Sequence, residues 1–232
     1  DSVALIPIGN DAVVLVVADG AGGLPGGKRA SVTAVETLSK TLQASIGEAS
    51  TLRDAILNGI DAANLAVLEL ANGSATTMTV VAVEGVKART FQIGDSEAMI
   101  VGQRGVVRAQ TTAHSPTGFA VEAGFLDERE ALHHEERHLV SNFIGTADMH
   151  VDMGAEITLR PRDTVLVASD GLTDNIHARD ITDLARKGPL DQAVDNISNL
   201  AMRRMTVESK TQPSKPDDLS IILFRKPDRI SR

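Results

Sequence analysis

The sequence predicts an α+β fold, a sandwich of antiparallel β-sheets covered by helices. Three observations predict it. Short runs of β-branched apolar residues recur between turn residues, and pairs of helical segments separate groups of strands instead of alternating with them. The links between the middle strands are also far shorter than the dozen or so residues that a parallel crossover needs.

Residues 3–8 and 12–18 read as an opening strand pair with a tight turn at Gly9-Asn10-Asp11. After the glycine-rich stretch 20–27, a helix is expected from about Lys28 to Ala44, with Val32, Val35, Leu38 and Leu42 as its apolar stripe. Ser50 is the expected N-cap of a second helix over 51–70, its inner face made of Leu52, Ala55, Ile56, Ile60, Ala63, Val67 and Leu70. Strand signals at 76–84, 86–93, 97–101 and 106–110 suggest an antiparallel meander. Residues 111–150 break this rhythm with Pro116, Gly118, Gly124 and a charge-rich helical run from Asp127 to His138. Strands resume near 155–159 and 164–169, helices follow at 178–187 and 190–207, and a last strand is expected at 219–225.

Composition narrows the function classes. A chain of 232 residues with 42% hydrophobic content can bury a sizeable core and is expected to form one domain over 1–232. Its core must be aliphatic, because it has five Phe and neither Trp nor Tyr. Missing aromatic platforms and a net charge of -8 argue against nucleic acid as a partner and give no basic face for a membrane. Without Cys, thiolate ligands, thiol nucleophiles and disulfides are excluded. No apolar run approaches the length of a spanning helix, so a cytoplasmic, monomeric protein is expected.

Acidic residues stand where apolar runs break. Asp19 ends Val13 to Ala18 and opens Asp19-Gly20-Ala21-Gly22-Gly23; Asp95 sits in Gly94-Asp95-Ser96. Asp170 ends Thr164 to Ser169 and precedes Gly171, while Asp217 and Asp218 precede Leu219 to Phe224. A single Asp-Gly is ordinary turn chemistry. Four such carboxylates at strand ends suggest an all-oxygen site for hard divalent ions, and a binuclear centre is the leading reading. Asp163 reads as turn chemistry at a strand start, and Asp174 as support for the turn after Asp170. His133, His134 and His138 invite a zinc reading, but no matching ligand set accompanies them.

In this order and spacing, the motifs resemble the PPM/PP2C family of metal-dependent protein serine/threonine phosphatases, in its bacterial form. The resemblance rests on Asp19 to Gly23 followed by Ala30-Ser31, on Gly94-Asp95-Ser96, on Leu159 to Asp163 with Leu166 to Asp174, and on Lys215 to Leu223. His114-Ser115 and Leu139 to Gly145 resemble the stretch that accompanies the family's flap, here 117–143.

The resemblance implies a four-layer α-β-β-α sandwich with two central antiparallel sheets. It also implies two tightly held Mn²⁺ or Mg²⁺ ions and a weaker third. Asp19 would bridge two ions with the Gly20 carbonyl beside it, and Asp170 and Asp217 would hold one directly. Asp95 would support the third ion together with Asp170, with Asp11 and Asp218 in supporting positions. Lys28 and Arg29 offer attraction for phosphate near a helix start, and Glu128, Arg129, Glu130 and Arg137 a surface for substrate recognition. The implied reaction is attack of a metal-bridging water on phosphoserine or phosphothreonine in a protein that a cognate kinase has modified. A broad or small-molecule phosphomonoesterase, and a weakly active regulatory member of the fold, stay open as alternatives. Four residues depart from the family pattern: Ala21 where other members have His or Met, Glu97 where Arg is common, Ala113 where Asp often precedes His-Ser, and Asp218 where Asn usually follows the ligand Asp.

Overall fold

The computed structural model describes residues 1–21, 26–46, 51–71, 73–207 and 212–226. Gly22, Gly23 and the expected N-cap Ser50 lie outside them. Strands β1 (Ser2–Ile8) and β2 (Ala12–Ala18) form the opening antiparallel hairpin, with Ser2 opposite Ala18. Helix α1 (Gly27–Ala44) and helix α2 (Leu52–Leu68) follow. Thr51 caps α2: its side chain accepts from the Asp54 N–H at 3.2 Å, a bond worth about 1 kcal/mol to a helix start. The buried face of α1 is Ala30, Ala34, Val35, Leu38 and Leu42, while Val32 turns outward.

The next strands are β3 (Met78–Glu84), β4 (Lys87–Ile93), β5 (Glu97–Val101) and β6 (Val107–Gln110). They do not form one meander. β3 and β4 extend the first sheet, whereas β5 and β6 belong to a second one, so the chain changes sheets at Gly94-Asp95-Ser96. Short helices α3 (Pro116–Glu122) and α4 (Glu128–Ala131) then lead to β7 (Asp152–Met153), β8 (Ile157–Thr158) and β9 (Thr164–Ala168). Helices α5 (Asp170–Thr173), α6 (Ala178–Ala185) and α7 (Leu190–Thr206) precede the last strand, β10 (Ile221–Arg225). The helix expected from Asp127 to His138 shrinks to the four residues of α4, since no apolar stripe holds its second half and His134 Nδ1 accepts from the Glu136 N–H.

Among the described residues, the first sheet runs β1-β2-β3-β4-β7 with β8 also paired to β4, and the second runs β10-β9-β5-β6. Alternation along each strand makes three cores. Val14, Val16 and Ala18 of β2 face α1 and α2, with Leu38, Ile56 and Ile60. Leu15 and Val17 face the second sheet, meeting Val165 and Val167 of β9. Leu166 and Ala168 face the other way, toward Ile181, Ile197 and Ala201 of α6 and α7. The result is the expected α-β-β-α sandwich. Burial on both sides explains why these strands read as continuous apolar runs.

Register sets the functional geometry. Val17 pairs with Thr79, Met78 with Ile93, and Glu97 and Ile221 both with Ala168. The exits of β2, β4 and β9 and the entry of β10 therefore share one end of the sandwich, which is where Asp19, Asp95, Asp170 and Asp217 lie. None of the described helices is long and apolar enough to cross a membrane.

Candidate metal centre

Asp19 is held through its backbone, which leaves its carboxylate available. Its N–H donates to Thr77 Oγ1 at 2.9 Å, and its carbonyl accepts from the Thr77 N–H at 2.8 Å and from Thr76 Oγ1 at 2.7 Å. Gly20 follows because no side chain fits there. A Cβ would fall 2.4 Å from the carbonyl carbon and oxygen of Gly27, where α1 begins. The same holds at Gly171, whose Cβ would fall 1.9 Å from the Asp218 carbonyl oxygen.

The turn carrying Asp95 is fixed from the first sheet and from the loop after β6. Buried Gln92 donates through Nε2 to the Gly94 carbonyl at 2.9 Å, and Thr79 Oγ1 donates to the Ser96 carbonyl at 2.6 Å. From the other side, the His114 N–H donates to the Gly94 carbonyl at 2.9 Å. His114 Nδ1 accepts from the Gly94 N–H at 3.3 Å and from Asn142 Nδ2 at 2.8 Å. The Asn142 amide is itself oriented by both backbone groups of His150. Two fixed donors on Nδ1 place the imidazole proton on Nε2, which faces Asp152 Oδ2 at 3.1 Å. His114, His150 and Asp152 bring ligand atoms within 4.8 Å of one another. That tautomer, however, leaves His114 no free lone pair for a metal.

On the second sheet, Asp170 opens α5, and Asp174 closes it with its N–H on the Asp170 carbonyl at 2.8 Å. Lys215 Nζ lies 2.6 Å from Asp170 Oδ2, 2.6 Å from Asp174 Oδ2 and 3.2 Å from Asp217 Oδ2. Asp170 Oδ1 is buried and has no hydrogen-bond partner. Burial, then repulsion from Asp170, Asp95 and Asp217, pushes Asp19 up to about 8. Burial, then Asp170 and Asp174, pushes Asp95 up to about 8, and Asp174 rises to about 6 for similar reasons. Carboxylates crowded this closely strongly disfavour shared ionisation unless cations neutralise them. An orphaned carboxylate oxygen within an all-oxygen donor set fits hard divalent ions.

The structure thus brings Asp19, Asp95, Asp170 and Asp217 near one another, with Gly20 beside Asp19 and Asp174 beside Asp170. Asp11 does not join them. It is exposed in the turn before β2, and seven strand residues at about 3.3 Å each put it roughly 25 Å from Asp19. The Asp218 side chain is 83% exposed and faces the Asp1 amino group at 3.9 Å, so only its backbone supports the site. Lys28 and Arg29 are exposed on the first turn of α1. Arg129 is exposed, whereas Glu130 closes a capping box with Asp127, accepting from its N–H at 3.0 Å. For Glu128 only the backbone in α4 is described. Arg137 turns inward, donating to the Leu132 carbonyl and, at 3.3 Å, to the Ser214 carbonyl.

Asp163 is more than a turn residue: it is 4% exposed and pairs with Arg108 while accepting from the Arg160 N–H. His133, His134 and His138 join no ligand group among the described residues. Sequence reasoning missed Thr77, Gln92, Asn142, Asn175 and Lys215. The signal for Thr77 and Gln92 was a polar residue immediately beside a buried apolar run. Beside the carboxylates, a cavity of about 310 Å³ opens between α3, β5 and α6, with Asp95, Asp170, Asp174, Thr117, Arg137 and Ile181 in its wall.

A family profile described as protein phosphatase 2C matches residues 1–210. A protein phosphatase 2C-type protein of Streptococcus pyogenes is 31% identical over 206 residues, spanning 85% of this chain and 83% of that one. The serine/threonine phosphatase of S. agalactiae superposes with a TM-score of 0.81 at 27% identity, over 97% of this chain and 92% of that one. The PPM Ser-Thr phosphatase MsPP of Mycobacterium smegmatis, solved with cacodylate, gives 0.76 at 28% identity over 96% and 95%. Sequence and fold agree along nearly the whole length, and the chain belongs to the protein phosphatase 2C family of metal-dependent phosphatases.

Proposed function

We propose that this chain hydrolyses phosphoserine and phosphothreonine in proteins, using two divalent ions, Mn²⁺ or Mg²⁺, held by Asp19, the Gly20 carbonyl, Asp170 and Asp217. The observation that carries this reading is the convergence of these carboxylates on one end of both sheets, with Asp19 and Asp95 each pushed up to about 8 by burial and then by the charge of Asp170 and its neighbours. Bound there, the ions screen the phosphate's charge and make a water nucleophilic at neutral pH.

The chain's own contribution is rigidity. Asp19 is pinned by Thr76 and Thr77, and Asp170 keeps Oδ1 free of competing hydrogen bonds. Gly20 and Gly171 let backbone close around the site. Asp95 adds negative charge from the sheet crossing and keeps the cations at this end. Ala21 carries no titratable group, so protonation of the leaving oxygen would fall to metal-bound water or to another residue of the site. We assign 117–143 as a flap over the site, with Arg129 and the α4 backbone at its exposed edge, and Lys28 and Arg29 as outlying attraction for the phosphoprotein. A protein kinase must supply that substrate, and we place both in the cytoplasm.

The test starts from exhaustively chelated protein. Adding Mn²⁺ or Mg²⁺ should restore hydrolysis of a phosphothreonine peptide. Full-rate turnover without metal would sink the mechanism. Metal binding with hydrolysis of a small ester but no phosphopeptide would favour a small-molecule phosphomonoesterase instead.

A further inference from the structure

We propose that the Lys215 ammonium is a resident cation of this centre, occupying the Asp170–Asp174 side where a further divalent ion would otherwise bind. The inference rests on the metal reading above and concerns how many ions the chain takes. Lys215 is 23% exposed and reaches three carboxylates at once, at 2.6, 2.6 and 3.2 Å.

The position is built, not incidental. Buried Asn175 clamps the Lys215 backbone from both sides: its Oδ1 accepts from the Lys215 N–H at 2.7 Å and its Nδ2 donates to the Lys215 carbonyl at 2.8 Å. Pro216 keeps the backbone at 215 extended. These constraints aim any side chain at position 215 toward the carboxylates.

The two oxygens of Asp170 then have different work. Oδ2 is taken by Lys215, and Oδ1, buried and without a partner, is left for a divalent ion. Asp174 spends its Oδ2 on the same ammonium. A divalent ion shared by Asp170 and Asp174 would have to stand beside a fixed positive charge, and like charges at such range repel strongly in a partly buried site. Lysine therefore completes the charge balance on this side and leaves the Asp19 side to metal. A weaker third ion between Asp95 and Asp170 has no place while the ammonium is there.

Counting bound Mn²⁺ per chain tests this, by native mass spectrometry of the chelated and reloaded protein and by electron paramagnetic resonance of free Mn²⁺ during titration. Lys215→Met and Lys215→Gln should each bind one more Mn²⁺ per chain than wild type, and Lys215→Arg should bind the wild-type number. Equal counts in wild type and the two neutral variants would overturn the proposal while leaving the metal reading intact. A wild type that binds no Mn²⁺ would overturn the metal reading itself. A second measurement needs no variant. The ¹⁵N–¹H signal of the Lys215 ammonium should persist, protected from exchange, at saturating Mg²⁺; its loss as ions load would overturn the proposal.

Discussion

The hydroxyl oxygens of Thr77 and Ser96 lie 2.8 Å apart, joining the entry of β3 to the turn that carries Asp95. Thr77 Oγ1 also accepts from the Asp19 N–H at 2.9 Å, and either hydroxyl can donate across its contact with Ser96. One hydroxyl thus ties the backbone of one proposed metal ligand, Asp19, to the turn of another, Asp95. Thr77→Val preserves shape and removes both bonds, leaving buried groups unsatisfied at a cost of about 1–3 kcal/mol. The expected outcome is a lower Tm and weaker Mn²⁺ affinity, with kcat at saturating Mn²⁺ changed less. Equal affinity for Mn²⁺ in the variant would show that the link does not position Asp19.

Asp19→Asn should lower kcat by about 10²-fold or more even at saturating Mn²⁺, since charge stabilisation by bound metal is worth several kcal/mol. Asp95→Asn should have a smaller effect, because Asp95 is not in the ligand set proposed for the two ions. Asp163→Asn separates stability from catalysis. It breaks the pair with Arg108 at a site where the Asp163 side chain is buried, and should cost about 3 kcal/mol of stability while the folded fraction keeps its kcat. Denaturant unfolding alongside steady-state rates checks all three. A stable Asp163 variant would return that residue to simple turn chemistry.

Much of this is legible in the sequence. Strands buried on both faces write themselves as unbroken apolar runs, as Val13 to Ala18 does, and a carboxylate ending such a run is conspicuous. The sheet change at Gly94-Asp95-Ser96 was not legible, because two antiparallel strands separated by three residues look alike whether they pair or part. Asp11 was misplaced because chain proximity to Asp19 says nothing about distance once an extended strand lies between them. Lys215 stayed hidden for a different reason: an isolated lysine in a proline-containing loop reads as a solvated charge, and only the Asn175 clamp turns it inward. The α3 helix had too short an apolar pattern to announce itself, although Ser115 caps it by accepting from the Gly118 N–H.

His114 should titrate below 6.5. Burial lowers it, Asp152 partly offsets this, and neighbouring His150 lowers it further; Asn142 and Phe119 face it without charge. The neutral ring is therefore favoured in the folded protein. Its contribution to stability is present above the unfolded value near 6.5 and is lost as pH falls through the folded value. The imidazole ¹H and ¹³C shifts, followed from pH 8 to pH 4, report this directly. In Asp152→Asn the titration should move lower still, since the one group raising it is gone. An upward shift would show that Asp152 does not stabilise the imidazolium.

Substrate choice is expected to respond to Arg129 and not to Arg137, although both lie in the charge-rich segment. Arg129 is exposed on α4, whereas Arg137 is committed to the carbonyls of Leu132 and Ser214, the latter adjoining Lys215. Loops held on a rigid scaffold commonly supply recognition, and charge at their exposed edge can meet residues flanking a phosphosite. Arg129→Glu should change the order of kcat/KM among phosphopeptides that carry acidic or basic neighbours, with hydrolysis of a small artificial ester unchanged. Glu130→Gln keeps a side-chain acceptor for the Asp127 N–H and removes only a charge, so it should shift the same preferences without disturbing α4. Arg137→Ala should behave differently, lowering all substrates together, because it unties the segment from the loop that carries Lys215 and Asp217. If Arg129→Glu lowers peptides and small ester in equal proportion, the exposed edge supports folding or catalysis and does not read the substrate. If nothing changes in either assay, α4 is a solvated surface and recognition lies elsewhere on the rim of the cavity.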